Sequence, residues 1–452
     1  TVNGNAGDAI VGKDDIKIYN GNLIVNAKDD GIRGKDSVTI GNTSSDGTEV
    51  DYSNLSVKVK TEGGDGIKAT STDESTTAKR VGIVTINGGT VNIDSYADGI
   101  QAEQFFDMTG GDVTIKTFEG SSFTGNGTTG NTGNTGGWGG GFGGMGMDGN
   151  SNKTDISAKG IKAVGIYDAA GTTWQSYGDI FISGGNLTID SSDDAVHCGG
   201  SMNLYGGTYT IASADDGFHS DHELNIGKTA ANTFDDVQIY ISKCYEGVEG
   251  VTINQNSGTV YIISSDDGYN AAGGADGSGF GNTGFGFGPG GMSSSTGTLN
   301  INGGLIVANS SNGDHDSIDS NGDINLNGGY VCANGQEPLD CGDNGNTINY
   351  KGGSVITMTA GNTNLSERYS FVDNSGNVIV SFIAASGNPG QNCTNCTAQS
   401  GGTVSGGKTV NAQSDKYAVT VGGTISGATQ ITAAASSGGM GGFQPGGPGR
   451  NR

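Results

Sequence analysis

Apolar and polar residues alternate in short runs along most of the chain. In Thr90-Val91-Asn92-Ile93-Asp94 and Asn186-Leu187-Thr188-Ile189-Asp190 every second side chain is apolar, the period of a strand with one buried face. The 3.6-residue period of an amphipathic helix is nearly absent, so the chain reads as all-β. Between the runs recurs a short turn of fixed pattern: acidic, Gly, apolar, polar, small. Its clearest copies are Asp29-Asp30-Gly31-Ile32-Arg33-Gly34, Gly64-Asp65-Gly66-Ile67-Lys68-Ala69, Ala97-Asp98-Gly99-Ile100-Gln101-Ala102 and Asp215-Asp216-Gly217-Phe218-His219-Ser220.

The acidic residue of each turn serves as an anchor for counting. Twelve residues after Asp98, Asp194, Asp316 and Asp340 comes a Gly pair, and ten residues after the first glycine at Gly88, Gly184 and Gly206 comes the next anchor. One period is therefore 22 residues. The anchors in order are Asp8, Asp30, Asp65, Asp98, a Lys159 variant, Asp194, Asp216, Glu246, Asp267, Asp316 and Asp340. A period in the twenties with β alternation and fixed turn glycines predicts a solenoid. We expect a right-handed parallel β-helix of about 11 coils of about 22 residues, at about 4.8 Å per coil a rod on the order of 50 Å long. The residue after the turn glycine should point inward in each coil: Ile32, Ile67, Ile100, Ile161, Val196, Phe218, Val248, Tyr269 and Ile318. The glycine before it suits a left-handed or tightly bent backbone.

From about Thr357 the rhythm stops. Residues 1–356 are expected to form the β-helix, 357–437 a small C-terminal β domain covering its end, and 438–452 a Gly-rich tail. Two Gly-rich insertions, near 120–152 and 273–291, carry Trp138, Phe142, Phe280, Phe285 and Phe287. Aromatic rings in such loops suit contacts with sugars or with another copy of the chain.

Composition agrees with a narrow, repetitive fold. The chain has 87 glycines in 452 residues and only 33% hydrophobic residues, too few for a thick helical or doubly wound core. The net charge of −25 argues against nucleic acid and anionic membrane surfaces as partners. No run approaches the roughly 20 apolar residues of a membrane helix, and the start at Thr1 fits removal of an export signal.

Six cysteines fit an oxidising exterior. Cys393 and Cys396 are expected to form a local disulfide rather than a zinc site, Cys332 and Cys341 could close a short loop, and the pairing of Cys198 and Cys244 is open.

Stacking the coils places the anchors in one column. Carboxylates about 4.8 Å apart repel unless cations sit between them, and Ca²⁺ prefers carboxylate and carbonyl oxygens. Several Ca²⁺ ions are therefore expected, with ligands among Asp29, Asp30, Asp65, Asp98, Asp193, Asp194, Asp215, Asp216, Glu246, Glu249, Asp266, Asp267, Asp316, Asp319, Asp340 and Asp343. The paired sites are Asp193/Asp194 with Asp215/Asp216, Glu246/Glu249 with Asp266/Asp267, and Asp316/Asp319 with Asp340/Asp343. A plainer reading is that Asp and Gly are good turn formers. Three residues past the anchors lies a polar column: Arg33, Lys68, Gln101, Lys162, His197, His219, Glu249, Asn270, Asp319 and Asp343. It is expected to be an exposed polar ladder, with a transition-metal site at the stacked His197 and His219 as the alternative.

The turns Ser192-Asp193-Asp194-Ala195-Val196-His197, Ala214-Asp215-Asp216-Gly217-Phe218-His219, Tyr245-Glu246-Gly247-Val248-Glu249-Gly250 and Ala158-Lys159-Gly160-Ile161-Lys162-Ala163, the Gly-rich inserts and Val372-Asp373-Asn374-Ser375-Gly376 carry a resemblance. The chain resembles the secreted, calcium-bound β-helix carbohydrate-binding proteins of clostridial type, which look like pectate lyases in fold. The resemblance implies Ca²⁺ in the turns and binding, without cleavage, of cellulose or an acidic polysaccharide such as polygalacturonate. The cysteines are not part of that pattern.

Three functions are compatible with these readings. An extracellular non-catalytic protein could bind polysaccharide through bridging Ca²⁺ and exposed aromatics, as a monomer. It could also polymerise into a surface or matrix filament through the N-terminal coil, the C-terminal domain and the Gly-rich loops, a contact that does not close on itself. The third is a Ca²⁺-dependent lyase with an Arg or Lys base. Its basic candidates, Arg33, Lys68 and Lys162, lie on separated coils with no convergent cleft, so no enzyme activity is expected.

Overall fold

A computed structural model describes residues 1–431 apart from 45–47, 49, 74–79, 125–156, 168–173, 230–231, 273–296, 312–315, 343–344, 360, 387–391 and 411–416. The bulk of both Gly-rich insertions, the tail and Asp343 lie outside the described residues.

The chain winds into a parallel β-helix whose coils each supply strands to three parallel sheets. One sheet runs from Val2–Gly4 through Gly21–Ala27, Leu55–Thr61 and Thr90–Ser95 to Ser354–Met358. A second stacks the turn segments Ile10–Gly12, Ile32–Gly34, Ile67–Ala69, Ile100–Ala102 and so on to Ile318–Ser320. The third runs from Asp15–Ile18 to Ile348–Tyr350. Among the described residues no helix is long and apolar enough to cross a membrane.

The expected inward column is in register. Ile32, Ile67, Ile100, Ile161, Val196, Phe218, Val248, Tyr269 and Ile318 pair coil to coil and are 0% exposed. Each such side chain contributes roughly 1.5–3 kcal/mol of burial, and stacking like on like makes one continuous core.

The turn glycines are required for a different reason than the one expected. Gly31, Gly66, Gly99 and Gly217 do not have positive φ; that conformation belongs to the other corner, at Gly89, Gly111, Gly185 and Gly207. A Cβ on Gly99 would lie 2.5 Å from the carbonyl oxygen of Gly160 and 2.3 Å from Ile115 Cγ2. Close approach of the next coil excludes the side chain. Gly99→Ala is therefore expected to cost about 1–3 kcal/mol by overpacking, read as a shift in the urea unfolding midpoint with unchanged slope.

On the outer side of the third sheet the amides of Asn203, Asn225, Asn254, Asn300, Asn325 and Asn349 form a ladder, each Nδ2 from Asn225 onward donating to the Oδ1 of the preceding Asn at 2.9–3.2 Å. The polar face is thereby satisfied by its own repeat.

The C-terminal region folds as a six-stranded antiparallel sheet built on Leu365–Val372, Val378–Ala385, Thr397–Ser405 and Thr424–Ile431. It was expected to cover the end of the rod; among the described residues Asn392–Thr394 pairs with the last strand Ser354–Met358. The sheet itself lies along the flank. Tyr369, Phe371, Val380 and Phe382 pack on Tyr261, Val307, Cys332 and Ile356, which point outward from strands whose alternate residues line the inner core. Cys393 and Cys396 form the expected disulfide. The suggested Cys332–Cys341 closure does not form, because Cys332 lies under the flanking sheet and Cys341 packs against the inner core. Cys198 and Cys244 are separate buried thiols, raised in pKa by burial, Cys198 to about 12.

Candidate functional site

Because the coils stack in register, the turn carboxylates form a single column. Seven of them are held in place by the coil that follows. Oδ1 of Asp8 accepts from the backbone N–H of Asp30 at 3.2 Å, Asp30 from Asp65 at 3.0 Å, Asp65 from Asp98 at 3.0 Å and Asp98 from Lys159 at 2.9 Å. The series continues at Asp194, Asp216 and Asp267, which accept from Asp216, Glu246 and Asp316. One oxygen of each of these seven anchors is thus committed to the backbone. The other is left for a counter-charge.

The column three residues on supplies that charge in the first coils. Arg33 Nε donates to Asp8 at 2.7 Å and lies 3.6 Å from Asp30, Lys68 pairs with Asp65 at 2.6 Å, and Lys162 approaches Asp98 at 3.9 Å. Lys159, at the anchor position itself, is 0% exposed and its ammonium pairs with Asp194 and, at 3.2 Å, with Asp193. Despite burial, Lys159 with His197 holds the Asp194 carboxyl well below the usual range. In this half of the rod cations are built into the chain.

The expectation of an exposed polar ladder fails at the middle coils. His197 is 5% and His219 1% exposed, because the following coil and Asp221 wall them in. Their rings stack at 4.6 Å between centroids. His197 Nδ1 bonds Asp194 at 2.8 Å, while His219 Nδ1 lies 2.7 Å from Glu249 and 3.3 Å from Asp216.

Beyond His219 the same column reads Glu249, Asn270 and Asp319. Its sign has reversed. Asp267 is pushed up to about 9, by burial first and then by the charge of Asp319. Glu246 is raised well above the ordinary range by burial, then by Glu249, Asp216 and Asp267. In the first half the effect is weaker, Asp65 reaching about 6 through burial and the charge of Asp98, and Asp30 rising through burial.

Five of the expected ligands are therefore paired with an Arg or Lys of the protein: Asp30, Asp65, Asp98, Asp193 and Asp194. Ligand oxygens do converge within 4.8 Å at Asp8, Asp29 and Asp30, at Asp193, Asp194 and Asp215, and at Asp316, Glu337 and Asp340. Asp216 joins Glu249 through His219 in a fourth group. Glu249 and Asp267 add to the raised pKa of Glu246, and Asp319 and Asp266 to that of Asp267; among the described residues the expected set Glu246, Glu249, Asp266 and Asp267 is not drawn into one converging group. Glu337 was missed, since it sits in no turn of the repeat; it reaches the ladder through a parallel bridge to Asp316. The role of Lys159 was legible only as an irregularity in the anchor column.

Compared with known proteins, residues 1–217 match the model of a family described as carbohydrate-binding domain-containing protein. The match spans the basic half of the ladder and ends at its reversal. No curated protein and no solved structure matches the chain.

Proposed function

We propose that this is an extracellular, non-catalytic polysaccharide-binding β-helix whose acidic coils take up Ca²⁺. The observation that carries the reading is the sign change along the column beside the anchors. Arg and Lys neutralise the first coils internally, whereas Glu249, Asn270 and Asp319 bring neither Arg nor Lys to the later ones, whose carboxyls Glu246 and Asp267 are raised in pKa. Ca²⁺ suits oxygen-only, partly flexible donor sets, which Asp316, Glu337 and Asp340 supply at half-buried positions. An ion held there keeps coordination positions for a uronate carboxylate, giving polygalacturonate a bridge to the protein. Similarity of residues 1–217 to a carbohydrate-binding family supports a glycan partner.

Binding is favoured over cleavage because the candidate bases are occupied. Arg33 and Lys68 are ion-paired, and Lys68 is held above its ordinary pKa against the effect of burial, chiefly by Asp65, the wrong direction for proton abstraction.

Cosedimentation tests the function. The protein is expected to deplete from solution onto polygalacturonate with Ca²⁺ and to be released by chelator. No depletion on polygalacturonate or cellulose counts against binding, and ultraviolet-absorbing unsaturated products would establish a lyase instead.

A further inference from the structure

We propose that His219, Asp216 and Glu249 form a site for one divalent transition cation of the Zn²⁺ type, separate from the oxygen-only sites that suit Ca²⁺. Two adjacent coils deliver the ligands. Asp216 and His219 flank the turn glycine of one coil, and Glu249 is the direct parallel partner of His219 on the next. His219 Nδ1 lies 2.7 Å from Glu249 Oε2 and 3.3 Å from Asp216 Oδ2, and the three ligand atoms all fall within 4.8 Å of one another. With metal–ligand bonds of about 2.0–2.2 Å, tetrahedral ligands stand about 3.3 Å apart, so small side-chain adjustments suffice.

The surroundings are those of a metal-binding histidine. Ligating imidazoles direct their second nitrogen to a carboxylate, which fixes the tautomer and strengthens the ligand; His219 Nε2 lies 3.3 Å from Asp221 Oδ1. Asp216 Oδ1 is already bonded to the Glu246 N–H, which aims Oδ2 at the site. His197 stacks on the opposite ring face and blocks rotation of His219. The neighbouring group of Asp194, His197 and His219 is a poorer candidate, since the Lys159 ammonium already holds Asp194.

Without metal, a proton takes the ion's place. Burial alone would lower the His219 pKa, but the charge of Glu249 and hydrogen bonds to Asp216, Asp221 and Glu249 hold it well above the ordinary value. The imidazolium then offsets one of the two carboxylate charges. Binding exchanges that proton for the cation, M²⁺ plus imidazolium giving metal-bound imidazole plus H⁺. Imidazole selects against Ca²⁺ and for Zn²⁺, Co²⁺ and their neighbours.

Co²⁺ is the probe. Chelator-stripped full-length protein, titrated at neutral pH with millimolar Ca²⁺ present, is expected to bind one Co²⁺ with visible d–d absorption, release about one proton per ion and lose the colour to Zn²⁺. His219→Gln and Glu249→Gln should each abolish the absorption, and Asp221→Asn should weaken affinity about 10–100-fold. Calorimetry in buffers of different ionisation enthalpy counts the proton on the unmodified protein, so the test does not depend on the variants folding. Absence of Co²⁺ uptake by the unmodified protein, or absorption unchanged in a folded His219→Gln protein, overturns the site.

Discussion

Lys159→Met is expected to cost about 3–5 kcal/mol of stability at neutral pH, the usual penalty for removing one member of a buried ion pair, and Ca²⁺ is expected to restore part of it. The ammonium is fully buried between Asp193 and Asp194, and Asp215 also lies in that acidic group. Met keeps most of the apolar stem and removes the charge. Three carboxylates are then left facing one another in a low-dielectric site with His197 as the nearby partner of Asp194. A hard cation fits the vacated position, which the unmodified protein fills with its own side chain. Urea unfolding at neutral pH, with chelator and with millimolar Ca²⁺, measures both terms. The Ca²⁺ increment should exceed that of the unmodified protein by on the order of 2–3 kcal/mol if the new site is saturated about 100-fold. Equal increments would mean that Lys159 does not stand in for an ion, and the alternation of built-in and recruited cations would have to be abandoned.

The coil was legible because its determinants are periodic. Apolar residues at period two and a turn every 22 residues were enough to place Ile100 between Ile67 and Ile161. Depth was less legible than direction. The spacing of His197 and His219 puts them on the polar side of the strand, and nothing local says that the next coil and Asp221 enclose them. The flanking sheet left a sign that alternation obscures: Leu305-Ile306-Val307-Ala308 is apolar throughout, as a strand buried on both faces must be, and every one of these residues is 0% exposed. The backbone bonds that order the carboxylates, Asp65 N–H to Asp30 among them, arise from register between coils and have no residue signature. The Asn ladder does have one, in Asn254, Asn300 and Asn325, each next to an inward Ile or Leu, and its meaning appears only once the coils are stacked. The reversal of charge beside the anchors was likewise present in the order Arg33, Lys68, Lys162, His219, Glu249, Asp319. Its consequence depended on burial.

In chelator the protein is expected to melt higher at pH 5.5 than at pH 8, by on the order of 5 °C, and Ca²⁺ is expected to flatten or reverse that slope. A carboxyl whose folded pKa is raised keeps a proton that the unfolded chain has lost. The folded state then binds more protons, and stability falls as pH rises. For Asp65 the window runs from the ordinary 3.8 to about 6, and for Asp267 from 3.8 to about 9, each raised by burial and then by a neighbouring carboxylate. Glu246 acts in the same sense from 4.5 upward. His219 adds to it: its contribution is complete below 6.5 and lost as pH rises through its raised folded value. Two groups oppose. His197, lowered by burial and then by Lys159, costs stability as pH falls below 6.5, while Asp194 loses its contribution only below 3.8, outside the interval. Three carboxyls and His219 against His197 leave the chelated protein favoured at the acid end. Ca²⁺ requires the same carboxylates deprotonated, so its binding strengthens with pH and stabilises most where the bare ladder is weakest. Thermal melts at pH 5.5 and 8, with and without Ca²⁺, decide the matter. A chelated protein that melts higher at pH 8, or a Ca²⁺ shift of equal size at both pH values, would show that the later coils neither hold protons nor exchange them for calcium.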